Sequence, residues 1–212
     1  MIMQDLFRFV VQRLSSENIQ HAVCGGVAAN LYRDELRLTA DLDFLVDTKN
    51  VDLDYFVQII KDAELTPYNL RHADLKKSPM MGEKSTPIFI IAGKDPKDKL
   101  NCGVDFLTLN NVWAESALAR AQHQIVEFGQ IKAPVITIED LFIAKLFAIL
   151  DSNRMEDLDD LEKLISAHRS LDLNYLSTQL TKHKLILPRD LESRSPDVIR
   201  IISKKNRTNR KS

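Results

Sequence analysis

Asp41 and Asp43 flank a leucine where the apolar run Leu42 to Val46 opens, and this placement constrains the fold more than any other feature of the chain. A run so rich in branched and aromatic residues predicts a buried strand. Its period of two sets both carboxylates on one face, while Leu42 and Phe44 take the other. Neighbouring carboxylates repel, and a cation between them relieves the repulsion; hard oxygen ligands with this reach suit Mg²⁺ or Mn²⁺. A purely structural or surface pair is the competing reading, and the spacing alone does not choose.

The preceding residues narrow the choice. His21 to Cys24 predicts a short strand, Gly25-Gly26 a turn, and Val27 to Arg33 a helix. Glycines at that junction let backbone N–H groups approach phosphate oxygens at a helix N-terminus, although an isolated pair also serves as a plain tight turn. Met3, Leu6, Phe7, Val10 and Leu14 recur at helical spacing over residues 3–15, as do Leu53, Phe56, Val57 and Ile60 further on. Residues 66–86 show no clear periodicity. Pro87 to Ala92 and Gly103 to Leu109 predict two strands of an antiparallel hairpin, with the Gly-Lys-Asp-Pro-Lys-Asp segment as its turn.

A helix is expected from Val112 to Arg120, followed by strand-like pieces at Ile125 to Phe128 and Ile131 to Val135. The chain then turns helical, at 138–151, 157–168, 173–183 and 197–203. Thr137 with Asp140 three residues on forms a capping-box pattern at the first of these. The fold class is therefore α+β, a mixed sheet flanked by helices and followed by a helical region. The expected divisions are 1–136, 137–203 and a basic disordered tail, 204–212.

Composition excludes several alternatives. With 212 residues, 44% of them apolar and 28% charged, the chain has length for a core, and only 6 Gly and 7 Pro argue against a low-complexity protein. It has no apolar stretch of membrane-spanning length and no secretory leader, so a cytoplasmic location and no membrane partner are expected. Cys24 and Cys102 fit neither a disulfide framework nor zinc spacing, and His21, His72, His123, His168 and His183 form no short-spaced pair. Trp113 is expected to pack on its helix. The formal charge of −1 conceals five basic residues in the tail, Lys204, Lys205, Arg207, Arg210 and Lys211. Setting these five aside from the 29 basic residues leaves 24 against 30 acids, too acidic a body for broad nucleic-acid binding. The tail itself reads as a solvated end or as an RNA contact.

Three further positions carry chemistry. Asp105 lies inside a strand, where a charge needs a reason, and coordination supplies one. Lys145 interrupts the greasy segment Leu141 to Leu150, so its ammonium must snorkel out, pair with an acid or meet an anionic ligand. Asp157 and Asp160 share a helix face with Arg154 one turn before, an arrangement open to a dipole-favoured helix start or to a site role.

Glycine turn, helix, Arg37-Leu38-Thr39-Ala40-Asp41-Leu42-Asp43 and a later strand acid together resemble the nucleotidyltransferase superfamily that includes DNA polymerase beta. More narrowly, the R-x-T-x-D-x-D form resembles the minimal nucleotidyltransferases and the AbiEii-type toxins. The segment from Arg154 to Asp160 is similar to that branch's R-x-K-D-x-x-D-L block, with Glu156 in place of the lysine. The resemblance spans roughly residues 20–165.

It implies that Gly25 and Gly26 hold a nucleoside triphosphate, with Arg37, Thr39, Lys145 and Arg154 assisting and Asp157 and Asp160 in support. It implies further that Asp41, Asp43 and Asp105 bind two Mg²⁺ or Mn²⁺ ions, that the C-terminal helical region completes the site, and that an antitoxin partner exists. The expected reaction is transfer of a nucleoside monophosphate to an acceptor hydroxyl of RNA, such as tRNA, or of a protein. A small cationic acceptor of the aminoglycoside kind, and a nucleotide-binding or protein-interaction module without turnover, are the alternatives.

Overall fold

In a computed structural model, residues 2–68, 90–97, 102–152, 155–167, 171–188 and 191 are described. The expected helix at 197–203, the tail 204–212, residues 87–89 of an expected strand, and Arg154, His72 and His168 lie outside the described residues. The chain divides into two compact units. Unit 1 comprises Met1–Val27 and Leu38–Ile136, and unit 2 comprises Ala28–Arg37 and Thr137–Ser212.

Unit 1 is built on a five-stranded mixed sheet. In chain order its elements are α1 (Met3–Ser16), β1 (His21–Cys24), the start of α2 (Gly25–Tyr32), β2 (Asp41–Val46), α3 (Leu53–Asp62), β3 (Thr66–Tyr68), β4 (Ile90–Lys94), β5 (Gly103–Leu107) and α4 (Ala114–Ala121), then the hairpin β6 (Ile125–Phe128) and β7 (Ile131–Pro134). The sheet order is β1-β2-β5-β4-β3. Only β2 and β5 run parallel; the other neighbours are antiparallel.

Alternation along β2 and β5 sends Leu42, Phe44, Val104 and Phe106 into the core. Phe44 lies 6.3 Å from Phe106, which meets Phe56 of α3 at 5.2 Å, and Phe7 of α1 stacks on Phe44 at 5.8 Å. Each such ring contributes on the order of 1.5–3 kcal/mol when fully buried. The apolar stripes of α1 and α3 are thus spent on this one face of the sheet. Asp52 caps α3 by accepting a hydrogen bond from the Asp54 amide.

Most boundaries fall within two residues of the sequence reading, and two of the differences bear on the site. Helix α2 is reached at Gly25, two residues before Val27; Gly25 turns the chain with a left-handed φ of +58°, and Gly26 follows within the helix. Strand β4 runs on through Gly93 and Lys94, since both stay paired with β5, so the turn begins later than its Gly-Lys-Asp-Pro pattern suggested.

Unit 2 holds the rest of α2 with α5 (Ile138–Ser152), α6 (Met155–Ala167) and α7 (Leu173–Lys182). The Thr137 hydroxyl accepts from the Asp140 amide at 3.3 Å and donates to the Asp140 carboxylate at 2.8 Å, starting α5 as its sequence predicted. Asp172 caps α7, accepting from the amides of Asn174 and Tyr175. Phe142, Leu146, Leu161, Leu164, Leu176 and Leu180 are buried. Among the described residues no helix is long and apolar enough to cross a membrane.

Candidate active site

Sheet register gathers the acids of unit 1. Asp43 is the direct partner of Asp105 on the parallel strand beside it, and Asp41 is the partner of Gly103. Adjacent strands lie about 4.8 Å apart, so Asp105 is a single strand spacing from Asp43, and Asp41 stands one pleat away on the same face. That face is opposite the one packed with Phe44 and Phe106. The backbone pairing alone therefore brings three acids to one side of the sheet, away from the core.

The glycine turn meets the same group. Gly25 has φ +58°, and a Cβ there would fall 1.9 Å from Asp43 Oδ2, so both the left-handed backbone and the close approach exclude a side chain. The Gly26 amide donates to Asp43 Oδ2 at 3.4 Å. A turn expected to face phosphate therefore also steadies a carboxylate. Thr39 lies just before the strand, its hydroxyl donating to the Asp41 carbonyl at 3.2 Å.

Two residues of this face escaped the sequence reading. Lys94 is in register with Gly103 and hence in the row of Asp41; its Nζ lies 3.9 Å from Asp41 Oδ2. Tyr68 shares the row of Asp43 and Asp105, separated from them by Ala92, and its ring centroid is 5.0 Å from the Lys94 ammonium. The Tyr68 hydroxyl raises the Lys94 pKa above its ordinary value; partial burial works the other way, and Asp41 and Asp105 add to the rise. A lysine in the Gly-Lys-Asp-Pro turn pattern gave no sign of facing acids; only the register places it there.

A divalent cation can be tested against these groups. Asp41 Oδ1 is buried and accepts no hydrogen bond among the described residues, and the donors present are hard carboxylate oxygens, both of which suit Mg²⁺ or Mn²⁺. Among the described residues no group of three or more His, Cys, Asp or Glu side chains is already arranged to hold a metal ion. Asp43 is turned to the glycine turn and Asp41 faces Lys94. The donor set fits the ion, provided the carboxylates rotate toward it.

Unit 2 carries a second charged cluster, centred on Asp160 of α6. This carboxylate is fully buried and takes hydrogen bonds from Arg33 Nη1 and, in a fork, from Arg37 Nε and Nη2, both at 2.9 Å. Lys145 of α5, 6% exposed, donates to Asp157 at 2.6 Å and lies 2.8 Å from Asp160. Of the three fates open to that ammonium, pairing with acids is the one observed. Asn30 fixes the Arg37 backbone from both sides, donating to its carbonyl at 2.9 Å and accepting from its amide at 3.0 Å.

Electrostatics follow from this packing. Burial pushes the Asp160 pKa up, but the Arg37 fork and Lys145 outweigh it and hold the carboxyl below its usual range. Burial pulls Lys145 down, and Asp157 with Asp160 more than restore it. Hydrogen bonding to Asp160 raises Arg37. Arg33 was missed because it reads as the polar end of a short helix; its partners, Asp159 and Asp160, lie more than a hundred residues later.

The sequence belongs to the nucleotidyltransferase class of enzyme. The chain is a member of the nucleotidyl transferase AbiEii toxin family of type IV toxin–antitoxin systems, whose family model matches residues 6–207. Among solved structures it is similar to an antigenic nucleotidyltransferase-like protein from Paracoccidioides brasiliensis, with 17% identity, a TM-score of 0.45, and coverage of 92% of this chain and 88% of that one. It is also similar to the lincomycin-bound lincosamide antibiotic adenylyltransferase LnuA, at 12% identity and TM-score 0.49 over 79% of this chain and 99% of that one. JHP933 from Helicobacter pylori matches at 16% identity and TM-score 0.46 over 98% and 92%. No curated protein matches the sequence.

Proposed function

We propose that this toxin-family enzyme transfers a nucleoside monophosphate from a nucleoside triphosphate to an acceptor hydroxyl, with Asp41, Asp43 and Asp105 as its working acids. The observation that carries the reading is the register of β2 on β5, which makes Asp43 and Asp105 direct partners and sets Asp41 beside them on the face that the core leaves clear. Such a face has little covalent chemistry to do; its task is to position the reactants and balance charge.

Asp105 accepts the proton of the acceptor hydroxyl as its oxygen bonds to the α-phosphorus, and pyrophosphate leaves. Asp41, Asp43 and Asp105 would hold Mg²⁺ or Mn²⁺, and two such ions would supply positive charge that lowers the pKa of an attacking hydroxyl and balances that of a leaving pyrophosphate. Gly25 keeps the turn close enough for Asp43 to stay oriented, and the turn's amides face the triphosphate. Arg37, Thr39, Lys145 and Arg154 keep the nucleotide-binding role that the resemblance implies. Because Lys145 is already paired with Asp157 and Asp160, a phosphate contact there requires one of those pairs to open.

Membership of a toxin family favours a macromolecular acceptor, an RNA end such as that of tRNA or a protein side chain, and an antitoxin partner. The acidic body favours the second reading, a cationic small molecule. Incubation with each α-labelled nucleoside triphosphate, total RNA, cell protein and an aminoglycoside panel separates these acceptors by where the label travels. Asp43→Asn should abolish transfer to every acceptor while the melting temperature stays within a few degrees. Undiminished transfer by that variant would refute the assignment of the acids.

A further inference from the structure

We infer that Lys94 is a positioning residue of the acid face: the resident counter-ion of Asp41, which a divalent cation must displace before it can bind. The inference rests on the acid site proposed above and adds to it a positive charge that an incoming dication has to displace.

Asp41, Gly103 and Lys94 occupy one row across three neighbouring strands, so the two charged residues are separated by a residue without a side chain. A Cβ on Gly103 would lie 3.0 Å from Lys94 Cγ, 3.1 Å from Asp41 Oδ1 and 2.4 Å from the Gly93 carbonyl oxygen. Any side chain there would stand between ammonium and carboxylate. The gap at Gly103 therefore keeps their approach open.

The approach itself is loose. At 3.9 Å, with the side chains 22% and 32% exposed, this pair is longer than a charge-assisted hydrogen bond and is reached by water. The Tyr68 ring holds the same ammonium from the other side at 5.0 Å, and Ala92 is small enough to let Tyr68 and the Asp43–Asp105 pair share a row without a bulky side chain between them. Lys94 thus has two partners, one anionic and one aromatic, and can yield the first while keeping the second. Its charge offsets one of three clustered carboxylates and repels an incoming dication. The two carboxylates meet different neighbours: Asp41 Oδ2 is 3.9 Å from Lys94 Nζ, and Asp43 Oδ2 accepts from the Gly26 amide at 3.4 Å.

A bare metal ion must overcome Lys94 alone. A metal ion arriving with a triphosphate brings negative charge that compensates the displaced ammonium. Lys94 in this way couples metal occupancy to nucleotide occupancy.

The test is Mn²⁺ binding to the full chain without nucleotide, followed by electron paramagnetic resonance or calorimetry, for the native protein, Lys94→Met, Lys94→Gln and Lys94→Arg. Removing the charge, by either Met or Gln, should tighten Mn²⁺ binding by about fivefold or more, a repulsion expected of a unit charge about 4 Å away in a partly wet site. Lys94→Arg should stay within about twofold of the native protein, since it keeps the charge. Equal or weaker binding by Met and Gln, or tightening by Arg as well, overturns the inference. If, in that case, Asp41→Asn and Asp43→Asn still abolish Mn²⁺ binding, the acid site stands and only Lys94 has been misassigned. If neither the native protein nor the variants bind Mn²⁺, or Asp43→Asn changes nothing, the acid site falls and this inference with it.

Discussion

Lys145→Met separates two roles that one lysine can play. The ammonium is 6% exposed, 2.6 Å from Asp157 and 2.8 Å from Asp160. Breaking a buried pair by removing one partner costs about 3–5 kcal/mol, because the remaining charge is left in a poor solvent. Asp160 keeps Arg33 and Arg37, so the loss falls chiefly on Asp157, and the lower end, about 3 kcal/mol, applies. In a chain of this size that corresponds to a melting temperature lower by about 6–12 °C in circular dichroism at pH 7.

The sign of the pH dependence is a second check on the same variant. Lys145 is raised in the folded state, so its contribution is complete below the unfolded value of about 10.4 and fades as pH climbs through the raised pKa. The variant should lack that alkaline loss. Asp160 is depressed, so its contribution is present above about 3.9 and disappears as pH falls through the lowered pKa; this acid limb should persist in the variant. A Lys145→Met protein melting within about 2 °C of the native one, with a raised KM for nucleoside triphosphate, would refute the structural account and restore the lysine to phosphate binding alone.

Other perturbations test neighbouring claims. Asp160→Asn should destabilise by about 3–5 kcal/mol in urea unfolding, whereas Asp159→Asn, at the exposed rim of the Arg33 pair, should cost less than about 1 kcal/mol. Gly25→Ala places a methyl group on the Asp43 carboxylate and forces a left-handed backbone costing about 1–2 kcal/mol; nucleotide transfer should fall as far as it does in Asp43→Asn. His21 is buried, which lowers its pKa, so by NMR it should titrate below about 6.5. Stability should accordingly decline as pH drops from neutrality through that depressed value, the unfolded chain taking the proton first.

The sequence made most elements of unit 1 legible because their strands and helices have clean periods; the edge strand β3 (Thr66–Tyr68), three residues around a proline, falls in a stretch without periodicity and was missed. The alternation at Asp41 to Phe44 named the inward and outward faces correctly, and Thr137 with Asp140 marked a helix start to the residue. Less legible was which strands become neighbours. Nothing in β2 or β5 taken alone announces a parallel pairing, yet that pairing brings Asp105 to Asp43. Lys94 was hidden for a related reason: Gly-Lys-Asp-Pro is a strong local turn signal, and the ladder to β5 overrides it for two residues. Arg33 shows the same limit, since its meaning lies in partners on α6 that no local window contains.

The pairing of Asp43 with Asp105 also bears on how the protein is made. Sixty-two positions separate these partners along the chain, so the contact closes a long loop at an entropic cost that grows with its length. A ribosome-bound chain that has released β2 but not β5 holds two of the three acids and none of their pairing. On the function proposed above, a nascent or truncated product that lacks β5 would carry an incomplete acid site, completed only once the fifth strand has slotted in between the second and the fourth.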